Sequence, residues 1–168
     1  MSLPIRTDRL VVREFTDDDA AELSRAFASP EVLWWDPAPF TLERARAWIT
    51  RARDGYVRSG CGLYAVEARG SARLLGDCGL VPRTVEGEEL VEIGWHLERS
   101  AWGRGYATEA ARAVLAHAED LGVRRVCSLI APGNLRSRRV AEKLGMAVER
   151  EVMHAGLPHD LWVLHLMA

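Results

Sequence analysis

The residues best suited to chemistry lie between Glu92 and Ala118, in the run EIGWHLERSAWGRGYATEAARAVLAHA. Val91 to Leu97 is apolar and short enough for a strand, whereas Ala107, Ala110, Ala111, Val114, Leu115 and Ala118 recur at helical spacing. The turn between them, Trp102-Gly103-Arg104-Gly105-Tyr106-Ala107, is small at 103, 105 and 107. Its backbone N–H groups can therefore point outward together at the positive end of the following helix. Such a turn holds an anion, and Arg99 and Arg104 can add side-chain charge. Several converging donors suit a pyrophosphate better than a lone carboxylate.

Two familiar phosphate loops do not fit the run. A mononucleotide loop ends in Gly-Lys-Ser/Thr, and here the equivalent residues are Gly105-Tyr106-Ala107. A dinucleotide fingerprint needs a third glycine where Thr108 stands, and no βαβ unit precedes the turn.

The elements that position this stretch follow from pattern. Arg9 to Phe15 reads as a first strand, and Thr16 with Asp17, Asp18 and Asp19 opens a helix that runs to about Ala28 and stops at Ser29-Pro30. Val32 to Phe40, with Trp34 and Trp35 among turn-forming prolines, is a loop. Thr41 caps a second helix that ends near Gly55. Leu63 to Glu67, Leu74 to Val81 and the Val91 strand form an antiparallel meander with a loop at Glu86-Gly87-Glu88. Asp77 is an unusual charge inside a strand, open to either a solvent-facing or an acceptor-facing reading. After the Ala107 helix come a buried strand, Arg124 to Ala131, and a short helix from Asn134 stopped by Gly145. A hairpin turning at Gly156-Leu157-Pro158 closes the chain.

Composition narrows the class. The 168 residues suit a single domain spanning 1–168, and a net charge of −2 with 48% hydrophobic residues argues against disorder and against binding nucleic acid through overall basic charge. No run reaches the ~20 apolar residues of a membrane span, and the first residues lack a signal-peptide core, so a cytoplasmic location without membrane contact is expected. Cys61, Cys78 and Cys127 have no disulfide or zinc spacing and read as buried thiols, and the five histidines have no metal-ligand spacing.

The turn resembles the acetyl-CoA pyrophosphate loop of the GCN5-related N-acetyltransferase (GNAT) superfamily, Q/R-x-x-G-x-G/A, with Gly105 and Ala107 in its small positions. Trp102 stands where Gln or Arg is usual, as in the RimJ/RimL-like branch, whose Trp-Gly-Lys/Arg-Gly-Tyr-Ala-Thr-Glu-Ala run is present here. Thr7, Arg9, Leu10 and Arg13 match that branch's opening strand. Asn134, Ser137, Val140, Lys143, Gly145 and Met146 match the second GNAT signature at the proper distance.

The resemblance implies an α/β (α+β) fold with a mixed, mostly antiparallel sheet, splayed between its fourth and fifth strands, here Val91 to Leu97 and Val126 to Ala131. It implies acetyl-CoA as cosubstrate, no metal, and direct attack by an amine of a peptide N-terminus or small molecule. Cofactor contacts are expected from Leu97, Arg99, Trp102, Gly103, Arg104, Gly105, Tyr106, Ala107, Thr108 and Asn134, and acceptor contacts from Trp34, Trp35, Asp36 and Asp77. The ammonium must lose a proton before it attacks. Glu92 is the first choice of base and His96 the second. A backbone N–H near His96 to Glu98 is expected to support the thioester oxygen. The tyrosine that many relatives use to protonate the thiolate is replaced by Ala141, which leaves Ser137 as the nearest candidate acid or, equally, a capping residue. Asn134 is expected to meet pantetheine or water while also capping its helix. A GNAT-fold acyl-CoA sensor without turnover, and an enzyme using a longer acyl-CoA, are the alternative expectations; a homodimer is one expectation for assembly.

Overall fold

The structure is a computed structural model and describes residues 2–167. Its centre is an eight-stranded sheet ordered β1-β2-β3-β4-β5-β6-β8-β7. The strands are β1 (Ile5–Arg6), β2 (Leu10–Arg13), β3 (Leu63–Ala68), β4 (Leu74–Val85), β5 (Glu88–Leu97), β6 (Arg125–Ile130), β7 (Ala147–His154) and β8 (Leu157–His165). Four α-helices flank them: α1 (Ala20–Ala26), α2 (Leu42–Ser59), α3 (Tyr106–Asp120) and α4 (Leu135–Lys143). All strand pairings are antiparallel except β5 with β6, and that parallel pairing has one register position, Glu92 with Cys127. Beyond Glu92 the two strands diverge, which is the expected splay.

Strand alternation sorts the core onto the two faces. Cys78, Leu80, Ile93 and Leu97 pack with Ala110, Ala111 and Val114 of α3, while Phe27, Ile49, Ala65 and Leu74 form a second cluster under α1 and α2. Asp77, Glu92, Gly94 and His96 therefore share the α1–α2 face. At the start of β4 the register with β3 steps from Gly76 to Leu74, leaving Leu75 as an extra residue in a bulge. Gly76, at φ +149°, is required there, because a Cβ on it would lie 2.0 Å from the His96 carbonyl oxygen.

Several expected boundaries move, each for a local reason. The opening strand is Leu10–Arg13, shorter than Arg9 to Phe15, and the two-residue β1 before it is too short to show a period. A 3-10 turn over Asp17–Asp19 precedes α1. Gly55 does not end α2: the helix runs to Ser59, Gly60 closes it at φ 72°, and Gly55 is small because a Cβ would meet the Cys61 carbonyl oxygen at 2.8 Å. β4 continues through Pro82 to Val85, since β3 pairs only as far as Gly79 and Pro82 owes β3 no hydrogen bond. The last hairpin turns at Ala155-Gly156, both at positive φ, and Leu157 and Pro158 already belong to β8.

Candidate active site

The glycine turn is built as an anion cradle. Gly103 and Gly105 are left-handed at φ 74° and 79°, and a Cβ on Gly103 would meet nothing within 4 Å. Gly105 is the N-cap of α3 and provides no side-chain cap, so the first-turn amides of Tyr106, Ala107 and Thr108 remain available to a ligand. The turn is braced from behind. Arg9 Nη1 donates to the Arg104 carbonyl at 2.8 Å, and Arg9 Nε donates to Glu109 Oε2 at 2.7 Å. Glu109 Oε1 also accepts from the Thr7 hydroxyl at 2.6 Å and the Arg9 amide at 2.9 Å. The opening Thr7-x-Arg9 and the Glu109 that follows the turn are thus one hydrogen-bonded unit.

Side chains around the turn occupy definite places. The Tyr106 ring lies between the guanidiniums of Arg9 and Arg104, at 4.5 and 5.1 Å from its centroid. Trp102 donates its indole N–H to the Leu97 carbonyl at 2.8 Å, and its ring is flanked by Arg99 at 4.8 Å and Arg136 of α4 at 4.0 Å. Leu97 itself is core, so its side chain is not available to a cofactor and its carbonyl is already bonded. Arg99 forms an ion pair with Glu31. Thr108 is buried and contributes to the cradle only through its amide.

Across the splay, Asn134 caps α4 by accepting from the Ser137 amide at 3.2 Å. The Ser137 hydroxyl makes no hydrogen bond among the described residues, and Ala141 is buried where a tyrosine was absent from the sequence. The cradle, the open edge of β5 beyond Glu92 and the capped start of α4 together suit a ligand with an anionic pyrophosphate at one end and a thin amide-bearing arm at the other.

The chemistry on the α1–α2 face centres on Asp77 and His96. They are register partners on β4 and β5, and His96 Nδ1 lies 2.7 Å from Asp77 Oδ1. The second oxygen, Oδ2, accepts the Trp48 indole N–H at 2.7 Å. Asp77 is fully buried, so it does not face solvent, and its direct partners are His96 and Trp48. A carboxylate removed from water needs such partners, because burying one unpaired costs several kcal/mol.

His96 sits among the rings of Trp35, Trp48 and Phe27, at centroid distances of 5.4, 5.6 and 6.1 Å. Its Nε2 has no hydrogen-bond partner among the described residues, and the side chain keeps 19% exposure. Burial pushes the imidazolium toward the neutral form, but the charge of Asp77, its hydrogen bond and the charge of Glu92 outweigh burial and hold the pKa above the usual histidine value.

Glu92, the first choice of base, is engaged elsewhere. Its carboxylate lies 2.5 Å from Arg83 Nε, diagonally across the β4–β5 pairing and on the same face as His96. Asp36 is likewise engaged, with Arg44 at 2.5 Å and with the Ala38 amide at 3.1 Å, so it shapes its own loop. Trp34 and Trp35 are half exposed. Neither packs into the core. Cys78 and Cys127 are buried with raised thiol pKa values, that of Cys127 pushed up to about 12, so neither is a nucleophile at neutral pH. Among the described residues no group of three or more His, Cys, Asp or Glu is placed to hold a metal ion, and no helix is long and apolar enough to cross a membrane.

Sequence reasoning missed the Trp48–Asp77–His96 chain. The register that joins Asp77 to His96 follows from the Glu86-Gly87 turn, and counting outward from it would have found the pair. Trp48 carried no such signal, since a tryptophan on an amphipathic helix reads as core.

The comparisons with known proteins agree with this geometry. Residues 9–147 match the acetyltransferase (GNAT) domain, and the chain belongs to that family. YkkB of Bacillus subtilis strain 168, an uncharacterized protein, is 36% identical over 151 residues, covering 87% of this chain and 86% of its own. The acetyltransferase of Agrobacterium tumefaciens C58 superposes with a TM-score of 0.83 at 25% identity, over 99% of this chain and 96% of that one. The fold is shared with yncA of Salmonella typhimurium, solved with its cofactor acetyl-CoA, at a TM-score of 0.72 and 16% identity over 95% of each chain.

Proposed function

We propose that the protein transfers an acetyl group from acetyl-CoA to a primary amine, with His96 as the base and Asp77 as the group that orients it. The observation that carries the reading is the state of His96: Nδ1 is fixed by a buried carboxylate, and Nε2 has no partner among the described residues, on the strand that borders the splay. Acetyl-CoA supplies the acyl group activated as a thioester. The residues that would hold it are the Gly103 to Thr108 turn for the pyrophosphate, with Arg104 beside it, and the open edge of β5 with Asn134 for the pantetheine.

Asp77 keeps the Nδ1 proton in place, so Nε2 presents its lone pair to the incoming ammonium. His96 takes that proton directly or through one water, and the neutral amine attacks. Trp48 keeps Asp77 from rotating by filling Oδ2. The Ser137 hydroxyl is the nearest group for returning a proton to the departing thiolate. Direct transfer fits a site in which Cys78 and Cys127 are buried and weakly acidic. The RimJ/RimL-like run around Trp102 supports acceptors that are peptide N-termini or small amines, and a cytoplasmic enzyme of one domain, monomeric or dimeric, fits the composition.

The test is thiol release from acetyl-CoA against a panel of small amines and short peptides. Turnover of any of them at a rate that depends on the acceptor supports the reading. Tight acetyl-CoA binding with no turnover of any acceptor replaces it with the sensor reading.

A further inference from the structure

Resting on the amine-acetylation reading, we infer that the acceptor is an aralkyl monoamine, a primary amine joined by a short alkyl arm to an aromatic ring, and that the ring is seated in the corner made by Trp34 and Trp35. The two indoles are adjacent in sequence and stand at 89° to one another, with centroids 6.1 Å apart. Both are about half exposed, 46% and 50%, whereas the other Phe, Tyr and Trp rings among the described residues are buried or partly buried. The Trp35 centroid is 5.4 Å from the His96 ring, so a group lying against Trp35 is one short arm away from the free Nε2.

The space for that arm is also present. Gly94 lies between Glu92 and His96 on the same face of β5, and a Cβ there would touch only His96 Cε1 at 3.9 Å and Leu63 Cδ2 at 4.0 Å. The sheet is therefore bare beside the imidazole, where any larger residue would project.

Charge decides against a second cation on the acceptor. The accessible carboxylates around the corner are matched by arginines, Glu31 by Arg99, Asp36 by Arg44 and Glu92 by Arg83, and Asp77 is wholly buried against His96 and Trp48. A diamine would have to leave its distal ammonium on exposed indole faces alone, an interaction of only ~0.5–1 kcal/mol. Two perpendicular aromatic faces instead offer one stacked and one edge-on contact to a flat ring, each worth about 0.5–1.5 kcal/mol beyond area burial. The reacting group is an alkyl ammonium rather than an arylamine, because an arylamine is already neutral at pH 7 and would leave the Asp77–His96 base without a purpose.

The experiment measures kcat/KM at saturating acetyl-CoA for phenethylamine and tryptamine against hexylamine, putrescine and a tripeptide with a free N-terminus. The aromatic amines should exceed the other three by roughly tenfold or more, the equivalent of ~1.4 kcal/mol. Trp34→Ala and Trp35→Ala should each lower the ratio of phenethylamine to hexylamine by roughly 5- to 10-fold, chiefly through KM, and Trp35→Phe should restore most of it. Circular dichroism of each variant separates a lost corner from a lost fold. Preference for putrescine or the peptide, or an unchanged ratio in both folded alanine variants, overturns this inference and leaves amine acetylation standing. Absence of thiol release with every amine overturns both.

Discussion

Asp77 and His96 face one another across β4 and β5 as register partners, with Oδ1 and Nδ1 2.7 Å apart, and the carboxylate is wholly buried while the imidazole is not. The arrangement gives the imidazole one fixed nitrogen and one working nitrogen. Replacing the carboxylate tests the coupling. Because the charge of Asp77 helps to hold the His96 pKa above its usual value, Asp77→Asn should lower it. His96 acts as a base only when neutral, so the rise of kcat/KM with pH should move to lower pH in the variant, with a reduced plateau from the less well fixed ring. A pH–rate series with one amine measures both effects, and an unmoved inflection would separate Asp77 from the titrating group.

Glu92→Gln gives the contrasting case. Glu92 is occupied by its ion pair with Arg83, and the substitution should change kcat by less than about threefold, against the ~100- to 10,000-fold typical of a lost general base. Since Glu92 also raises the His96 pKa, a small shift of the pH profile toward lower pH should accompany it. A loss of a hundredfold in steady-state kcat would return Glu92 to the role first expected of it.

Gly105→Val probes the cradle. At φ +79° a β-branched residue is strained by about 1–3 kcal/mol, and its methyls would stand against Arg9 Nη2, 3.4 Å from the Cβ position, and in the path of the phosphates. Titration calorimetry should show CoA affinity falling by more than about tenfold in a variant that still unfolds cooperatively. Wild-type affinity in the folded variant would remove the pyrophosphate assignment.

Much of this architecture was legible beforehand, and the reasons differ by element. The glycine turn was carried by local residues, Gly103, Gly105 and the periodic alanines of α3, whereas the splay came only with the family resemblance. In the chain Trp48–Asp77–His96, the strand pair could be counted out from the hairpin turn, but Trp48 joins it from a helix whose packing no local pattern records. Glu92 illustrates the same gap. Its strand and its face were recoverable, but the Arg83 that neutralises it lies nine residues away across a hairpin, and only the structure shows the two side chains meeting. Exposure of both tryptophans was equally hidden, as it depends on the path of a proline-rich loop.

Acid sensitivity should come from hydrogen-bonded carboxylates, two of which, Asp19 and Glu109, brace the opening strand. Burial pushes Asp19, Glu98 and Glu109 toward protonation, but hydrogen bonds from Arg13, from Arg25 with Arg73, and from Thr7 with Arg9 outweigh it and hold all three below the ordinary carboxylate range. Groups depressed in this way stabilise the fold fully above their unfolded pKa values, and the contribution disappears as pH falls through the folded ones. Thermal midpoints should therefore stay level from pH 7 toward ~5 and fall below ~4.5. Glu109→Gln should cost about 1–2 kcal/mol at pH 7 and reduce the acid dependence, as followed by urea denaturation at two pH values.

The central claim is that His96 is the base of an acetyl transfer, and the pH dependence of kcat/KM for wild type and His96→Gln with one amine tests it most directly. The account predicts that wild type rises with pH to a plateau through a group titrating above the usual histidine value, and that the variant loses ~100- to 10,000-fold at neutral pH while still binding acetyl-CoA. Its residual activity should climb with pH as the free amine itself becomes neutral. A variant whose profile overlays that of the wild type would contradict the assignment.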